Sequence, residues 1–222
     1  MLTRVYRQAN RALRVHGVLG SAKIVWEKAR HKHEWRSIPS EYDRQHGVVT
    51  DGNEDLAGHY LRVRYQPTAE PIVREMIATQ PLCREAIFID VGSGKGRVVL
   101  VASEYPFGRI MGVEYARELN DVAVANLDAY KSPTQQCRNI GLFCTDATTF
   151  PLPPEPTVLF LANPFRGSIM TAFIKNVEES LRLHPRPFYV LYRQAKEAAQ
   201  WDASRSFIRM AETPMYTTWR AR

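Results

Sequence analysis

Phe88-Ile89-Asp90-Val91-Gly92-Ser93-Gly94-Lys95-Gly96-Arg97 is the stretch that decides the fold. Ala86-Ile87-Phe88-Ile89 leads into the glycines as a short apolar run of β-branched and aromatic residues, the pattern of a strand covered on both faces. Val98-Val99-Leu100-Val101-Ala102 follows them, too apolar for a loop and suited to a helix packed back on the sheet. Three alternate glycines lack a Cβ, so a ligand can approach the backbone closely. The free amides of a helix start point at such a ligand. Strand, glycine turn and helix together indicate a nucleotide-like cofactor and leave its identity to other residues.

The alternation continues along the chain. Residues 109–114, 140–144, 157–162 and 187–192 read as further strands, separated by helical spacing over 116–130 and 168–181 and followed by a short helix near 195–200. Residues 207–210 and 215–219 read as a closing pair around Glu212–Pro214. Strands alternating with helices imply right-handed crossovers and an α/β, Rossmann-like, mostly parallel sheet with helices on both faces. The ligand of such a sheet lies beyond the carboxyl ends of its strands. Asp90 through Gly96, Glu114, Asp146 and Asn163 all fall there, so four strand ends converge on one crevice.

Upstream, Pro67 holds Gln66 extended, and Thr68 is the expected cap of a helix that carries Ile72, Val73, Met76 and Ile77 and ends near Pro81. Residues 37–58 read as loop, and 37–68 as a lid or substrate-side region. Residues 3–15 and 20–35 read as two helices separated by Gly17 and Gly20. The plan is thus a basic helical N-terminal extension (1–36), a lid region (37–68) and a cofactor-binding domain (69–222).

The net charge is +7, and residues 1–36 carry nine Lys or Arg against Glu27 and Glu34, so the whole excess sits in the extension. Such asymmetry concerns partners rather than fold. The plain reading is a solvated face on helices that pack against the domain or build a homo-oligomer. The sharper one is a surface for an anionic membrane, a protein or a polyanion. His31 and His33 have no further ligands beside them and read as surface residues; no metal is expected. With 45% apolar and 24% charged residues, no membrane-length apolar run and no secretory h-region, the expectation is a cytoplasmic protein, membrane-peripheral only through its arm. Cys83, Cys137 and Cys144 show no CxxC spacing, which agrees with a reducing compartment.

Two cofactor classes compete at the glycines. A phosphate loop needs GxxxxGK followed by Ser or Thr, and here Lys95 is followed by Gly96 and Arg97. A dinucleotide turn is spaced GxGxxG, whereas this one is GxGxG. Asp90, two residues before the first glycine, would repel a pyrophosphate and suits a cofactor with an ammonium group.

Asp90-x-Gly92-x-Gly94-x-Gly96, Glu114 ending the second strand and Asp146 ending the third resemble the class I S-adenosylmethionine-dependent methyltransferases, over about residues 60–222. The resemblance implies a seven-stranded sheet whose last strand is antiparallel. It places the glycine turn with Ser93 against the methionine and ribose of the cofactor, Asp90 at the methionine amino end, Glu114 on both ribose hydroxyls, and Asp146 on the adenine amino group with Ala147 beside the ring. Tyr65-x-x-Thr68, Gly112-Val113-Glu114 and Asn163-x-Phe165 are further similar to the non-SET, seven-strand histone lysine methyltransferases, where the Tyr and Thr contact the cofactor and the Asn and Phe lie beside cofactor and acceptor channel. Arg97 stands where that family usually has Gln, and Pro164 where it has a second Asn. Asn163-Pro164-Phe165 also resembles the Asn/Asp-Pro-Pro-aromatic motif of amino-methyltransferases, with one Pro missing.

A sulfonium methyl is already an activated electrophile, so such a protein chiefly positions the nucleophile and excludes water. Asn163 as an orienting acceptor and Phe165 as a wall are the candidate catalytic residues. Tyr60, Tyr65 and Tyr192 offer aromatic faces to a cationic centre; His46 and His59 read as incidental. The acceptor expected is a small molecule or a lipid- or glycan-linked group. The alternatives are a protein lysine methyltransferase guided by the arm, and a scaffold that binds cofactor without turnover.

Overall fold

Seven strands build the sheet: β1 (Ile87–Val91), β2 (Arg109–Glu114), β3 (Ile140–Cys144), β4 (Thr157–Leu161), β5 (Phe188–Arg193), β6 (Phe207–Glu212) and β7 (Tyr216–Ala221). The computed structural model describes residues 38–52, 65–80 and 85–222. The strand order is β3-β2-β1-β4-β5-β7-β6, parallel from β3 through β5. β7 runs antiparallel between β5 and β6, as the resemblance implies. β1 and β4 are buried at every position because they lie in the middle with helices on both sides; β3, at the edge, is only half-buried.

Among the described residues six helices flank the sheet: α1 (Ile38–His46), α2 (Glu70–Ala78), α3 (Arg97–Ala102), α4 (Arg117–Ala129), α5 (Ser168–Leu183) and α6 (Ala198–Ala203). On one face Ile87, Ile89, Leu159, Leu161 and Val190 pack with Met170, Phe173 and Val177 of α5 and Trp201 of α6. Trp201 meets Phe207 edge-on at 5.1 Å and lies 6.0 Å from Trp219, so the closing hairpin is joined to the core by aromatic rings. On the other face Phe88 contacts Phe107 and Phe160.

Two local expectations are overturned. Residues 38–46 are helix rather than loop. Glu41 accepts a hydrogen bond from Gln45 and pairs with Arg44, and Tyr42 stacks on His46 at 4.5 Å, one turn on. The inward face carries Tyr and His instead of aliphatics, so apolar periodicity hides it. Thr68 does not cap α2: Ala69 is the N-cap residue, and Thr68 is buried. Pro71, within the first turn, supplies the helical φ that makes a side-chain cap dispensable. The expected helices at 3–15 and 20–35, together with His31, His33, His59, Tyr60 and Cys83, lie outside the described residues.

Candidate functional site

The glycine turn closes on itself. Gly92, Gly94 and Gly96 all have positive φ (76°, 54° and 87°). The amides of Gly92 and Ser93 donate to the Val113 carbonyl, and that of Gly96 to Ser93 O at 2.9 Å. The Gly94 amide donates to Glu114 Oε2 at 2.8 Å. These four amides are therefore turned inward rather than presented to a ligand. The demand for glycine also comes from the protein itself. A Cβ on Gly92 would lie 2.4 Å from Pro164 Cβ, and one on Gly94 would lie 2.2 Å from the Tyr65 ring. The corner after β4 and Tyr65, five residues before α2, thus meet at the turn.

Asp90 is the most unusual group in the crevice. It is 1% exposed, and its Oδ2 is buried without a hydrogen-bond partner. Burial, reinforced by the nearby Glu114 carboxylate, holds its pKa well above the usual carboxylate range. Ser93 Oγ, beside it in the turn, is also buried without a partner. Glu114 ends β2 half-buried, its second oxygen accepting from the Ala116 amide at 2.9 Å.

Asp146, at the end of β3, accepts from both the amide and the hydroxyl of Thr148 at 2.8 Å through Oδ1 and so shapes the 146–149 turn. Ala147 is buried beside it. Asn163, two residues past β4, is 4% exposed with φ 59°. Its Oδ1 accepts from the Tyr192 hydroxyl at 3.2 Å. Burial raises the Tyr192 pKa, so the phenol stays protonated and able to donate at neutral pH. Phe165 is buried in the core, edge-on to Phe173 at 5.5 Å. Thr68 is buried and Tyr65 half-buried, the latter donating to Thr50 O at 2.5 Å.

Three features were not read from the sequence. Tyr192 orients Asn163 from a neighbouring strand. Gln194, just past β5, has like Asn163 a positive φ (49°), which few non-glycine residues adopt. Asp43, Thr50, Asp51 and Arg97 form a polar cluster at the start of α3. The one signal for it was an Arg in place of Gln after the glycines. Among the described residues no group of His, Cys, Asp and Glu could hold a metal ion, and no helix is long and apolar enough to cross a membrane.

A family model described as Histone methylation protein DOT1 matches residues 60–147. Among curated proteins the chain has no match. Solved structures share its fold at low identity. A protein of Pyrococcus horikoshii described as an RNA methyltransferase superposes with a TM-score of 0.52 at 14% identity, over 75% of this chain and 90% of that one. TrmN from Thermus thermophilus gives 0.51 at 13% identity, over 70% and 49%. The YcgJ protein of Bacillus subtilis gives 0.42 at 18% identity; the match spans 58% of this chain and about half, 53%, of that protein. The sheet order and the two neighbours with TM-scores above 0.5 agree on the sheet architecture expected of the class I methyltransferases, for which the sequence resemblance implies S-adenosylmethionine as cofactor. The residues present fit that group. A buried carboxyl with an unpartnered oxygen suits an ammonium, and Glu114 and Asp146 carry acceptor oxygens at the end of β2 and just past β3.

Proposed function

We propose that this chain, with its class I methyltransferase fold, transfers a methyl group by in-line displacement to a small molecule or a lipid- or glycan-linked acceptor. The carrying observation is Asp90, a buried carboxyl with an unpartnered oxygen at the head of a glycine turn. The cofactor, when bound, supplies the electrophilic methyl on its sulfonium. Asp90 holds the ammonium of its methionine end and becomes ionised in doing so, because the new cation offsets the burial that keeps it neutral. Glu114 accepts from the ribose hydroxyls, and Asp146 from the adenine amino group with Ala147 against the ring. The glycine turn and Tyr65 shape the wall between them. Asn163, its carbonyl oxygen held by Tyr192, orients the nucleophile at the mouth of the crevice.

Calorimetry with S-adenosylmethionine tests the cofactor: NAD binding with no S-adenosylmethionine binding would reject the reading. Labelled-methyl transfer into cell extract, sorted into protein, nucleic-acid, lipid and small-molecule fractions, tests the acceptor. Label in the small-molecule or lipid fraction is the expected result. The match to a histone-methylation family over residues 60–147 favours a second reading, protein lysine methylation guided by the basic arm. That match stops before Asn163, so it concerns the cofactor half of the site more than the acceptor half. Label in protein that vanishes on deleting residues 1–36 would establish it. Tight cofactor binding with label in no fraction would identify a scaffold.

A further inference from the structure

Arg97 is 2% exposed at the first position of α3, and its side chain reaches back to a segment some fifty residues earlier. Nε donates to Thr50 Oγ1, and one terminal nitrogen donates to Asp43 Oδ1 at 3.0 Å and Asp51 Oδ1 at 2.7 Å. The guanidinium also lies 5.1 Å from the Tyr42 ring centre. Asp43 in turn gathers the segment: its Oδ2 accepts from the amides of Thr50 and Asp51 at 2.7 and 2.8 Å, and its Oδ1 from the Thr50 hydroxyl. Two further bonds tie the same segment to the glycine turn. Lys95 Nζ donates to Asp51 O at 2.8 Å, and Tyr65 donates to Thr50 O. Asn126 of α4 completes the closure, exchanging hydrogen bonds with the Val49 backbone and donating to Lys95 O at 2.9 Å. The Tyr65 ring then lies directly against Gly94, whose amide is held on its other side by Glu114.

We propose that Arg97 is a positioning residue of the cofactor crevice: it latches residues 43–51 onto the glycine turn and, through Thr50 and Tyr65, fixes Gly94 and with it Glu114. A turn of left-handed glycines is intrinsically soft, because each glycine has more conformers to lose than any other residue. The latch supplies from outside the order that the turn lacks. A buried guanidinium shared by two carboxylates and a hydroxyl suits this role, because it is planar, always charged and able to serve several acceptors at once. A Gln at position 97 cannot offset the two carboxylates. The inference rests on the reading of this crevice as the S-adenosylmethionine site.

The test uses the full chain at a temperature where every variant is folded. Arg97→Gln is expected to weaken S-adenosylmethionine binding in calorimetry by on the order of tenfold or more, the loss that follows from removing charge-assisted hydrogen bonds. Arg97→Lys should restore part of it. Thr50→Val, which keeps the volume and removes the hydroxyl, gives the same effect in weaker form should Arg97→Gln fail to fold. Glu104→Gln, remote from the turn, is the control: it should lower the melting temperature and leave affinity unchanged. Hydrogen exchange on the ligand-free protein should show amides 92–96 opening faster in Arg97→Gln than in Glu104→Gln. Wild-type affinity in both Arg97→Gln and Thr50→Val would overturn the proposal, as would equal weakening by Glu104→Gln. Should the wild type not bind S-adenosylmethionine at all, the cofactor reading fails, while hydrogen exchange still decides whether Arg97 orders the turn.

Discussion

Asp90 is a side chain adverse to the empty protein and, in the proposed reading, needed by the loaded one. Its pKa is raised by burial and by Glu114, so the folded ligand-free chain binds that proton more tightly than the unfolded chain does. Stability from this group is therefore greatest at acid pH and falls as pH rises above the unfolded carboxylate value. Asp90→Asn removes the ionisable group, and we expect it to raise ligand-free stability at pH 8 by on the order of 1–3 kcal/mol, checked by urea unfolding, while abolishing calorimetric binding of S-adenosylmethionine. Tyr192→Phe leaves the buried ring and deletes the donor to Asn163. Methyl transfer should fall by on the order of tenfold with cofactor affinity kept, if orientation of Asn163 is what the hydroxyl provides. Equal losses in transfer and cofactor affinity would place Asn163 on the cofactor instead. The residues around the glycines were legible because each carries chemistry in its own type: a carboxylate after a buried strand needs no partner to be noticed. The packing of Phe165 was not legible for the opposite reason: a phenylalanine after a strand looks the same from the sequence whether it walls a channel or packs on Phe173.

Helices and turns divide in the same way. The strands, α4 and α5 follow from apolar spacing, since burial on a fixed face is what that spacing encodes. α1 did not, because its order comes from partners far along the chain. Tyr42 lies under Arg97, and His46 stacks on Tyr130 at 5.1 Å and sits 3.0 Å from Lys131 O. A second polar junction joins α2 to the end of α3 and to the chain after α4. Glu104 accepts from Arg74, Tyr130 and Ser132. Burial would raise the Glu104 pKa, but the Ser132, Arg74 and Tyr130 hydrogen bonds outweigh it and hold the pKa at about 2. Because the folded value lies below the ordinary one of 4.5, this junction contributes fully above pH 4.5 and is lost as pH falls toward 2. Glu104→Gln should lower stability at pH 7 by on the order of 1–2 kcal/mol, allowing for the half-exposed Arg74 partner, and flatten the acid limb between those pH values. Denaturant titrations across that range check it; an unchanged limb would show that Glu104 adds nothing beyond packing.

At the scale of the molecule, alternation of strand and helix was enough to reach a mostly parallel sheet. The closing pair came from the sequence as well, and the resemblance supplied the reversed direction of its last strand. What neither disclosed was how deeply that strand is set. Trp219 of β7 is buried against Trp201, and its Nε1 donates to Asp202 at 3.0 Å. Removing residues 215–222 should therefore strip β5 of its neighbour, leave Trp201 and Phe207 partly uncovered, and yield soluble aggregates by size-exclusion chromatography where the full chain elutes as a defined species. A monodisperse truncated chain would mean that β6 can pair with β5 unaided. The placement of β7 between β5 and β6 also sets an order on biosynthesis. β1 to β5 can pair with one another as they are made, whereas the outer edge of β5 stays open and β6 has no partner until residues 216–221 follow. A translating ribosome thus holds a nearly complete cofactor crevice beside an open sheet edge. Early encounter with the cofactor and shielding by a chaperone would act on the same short interval.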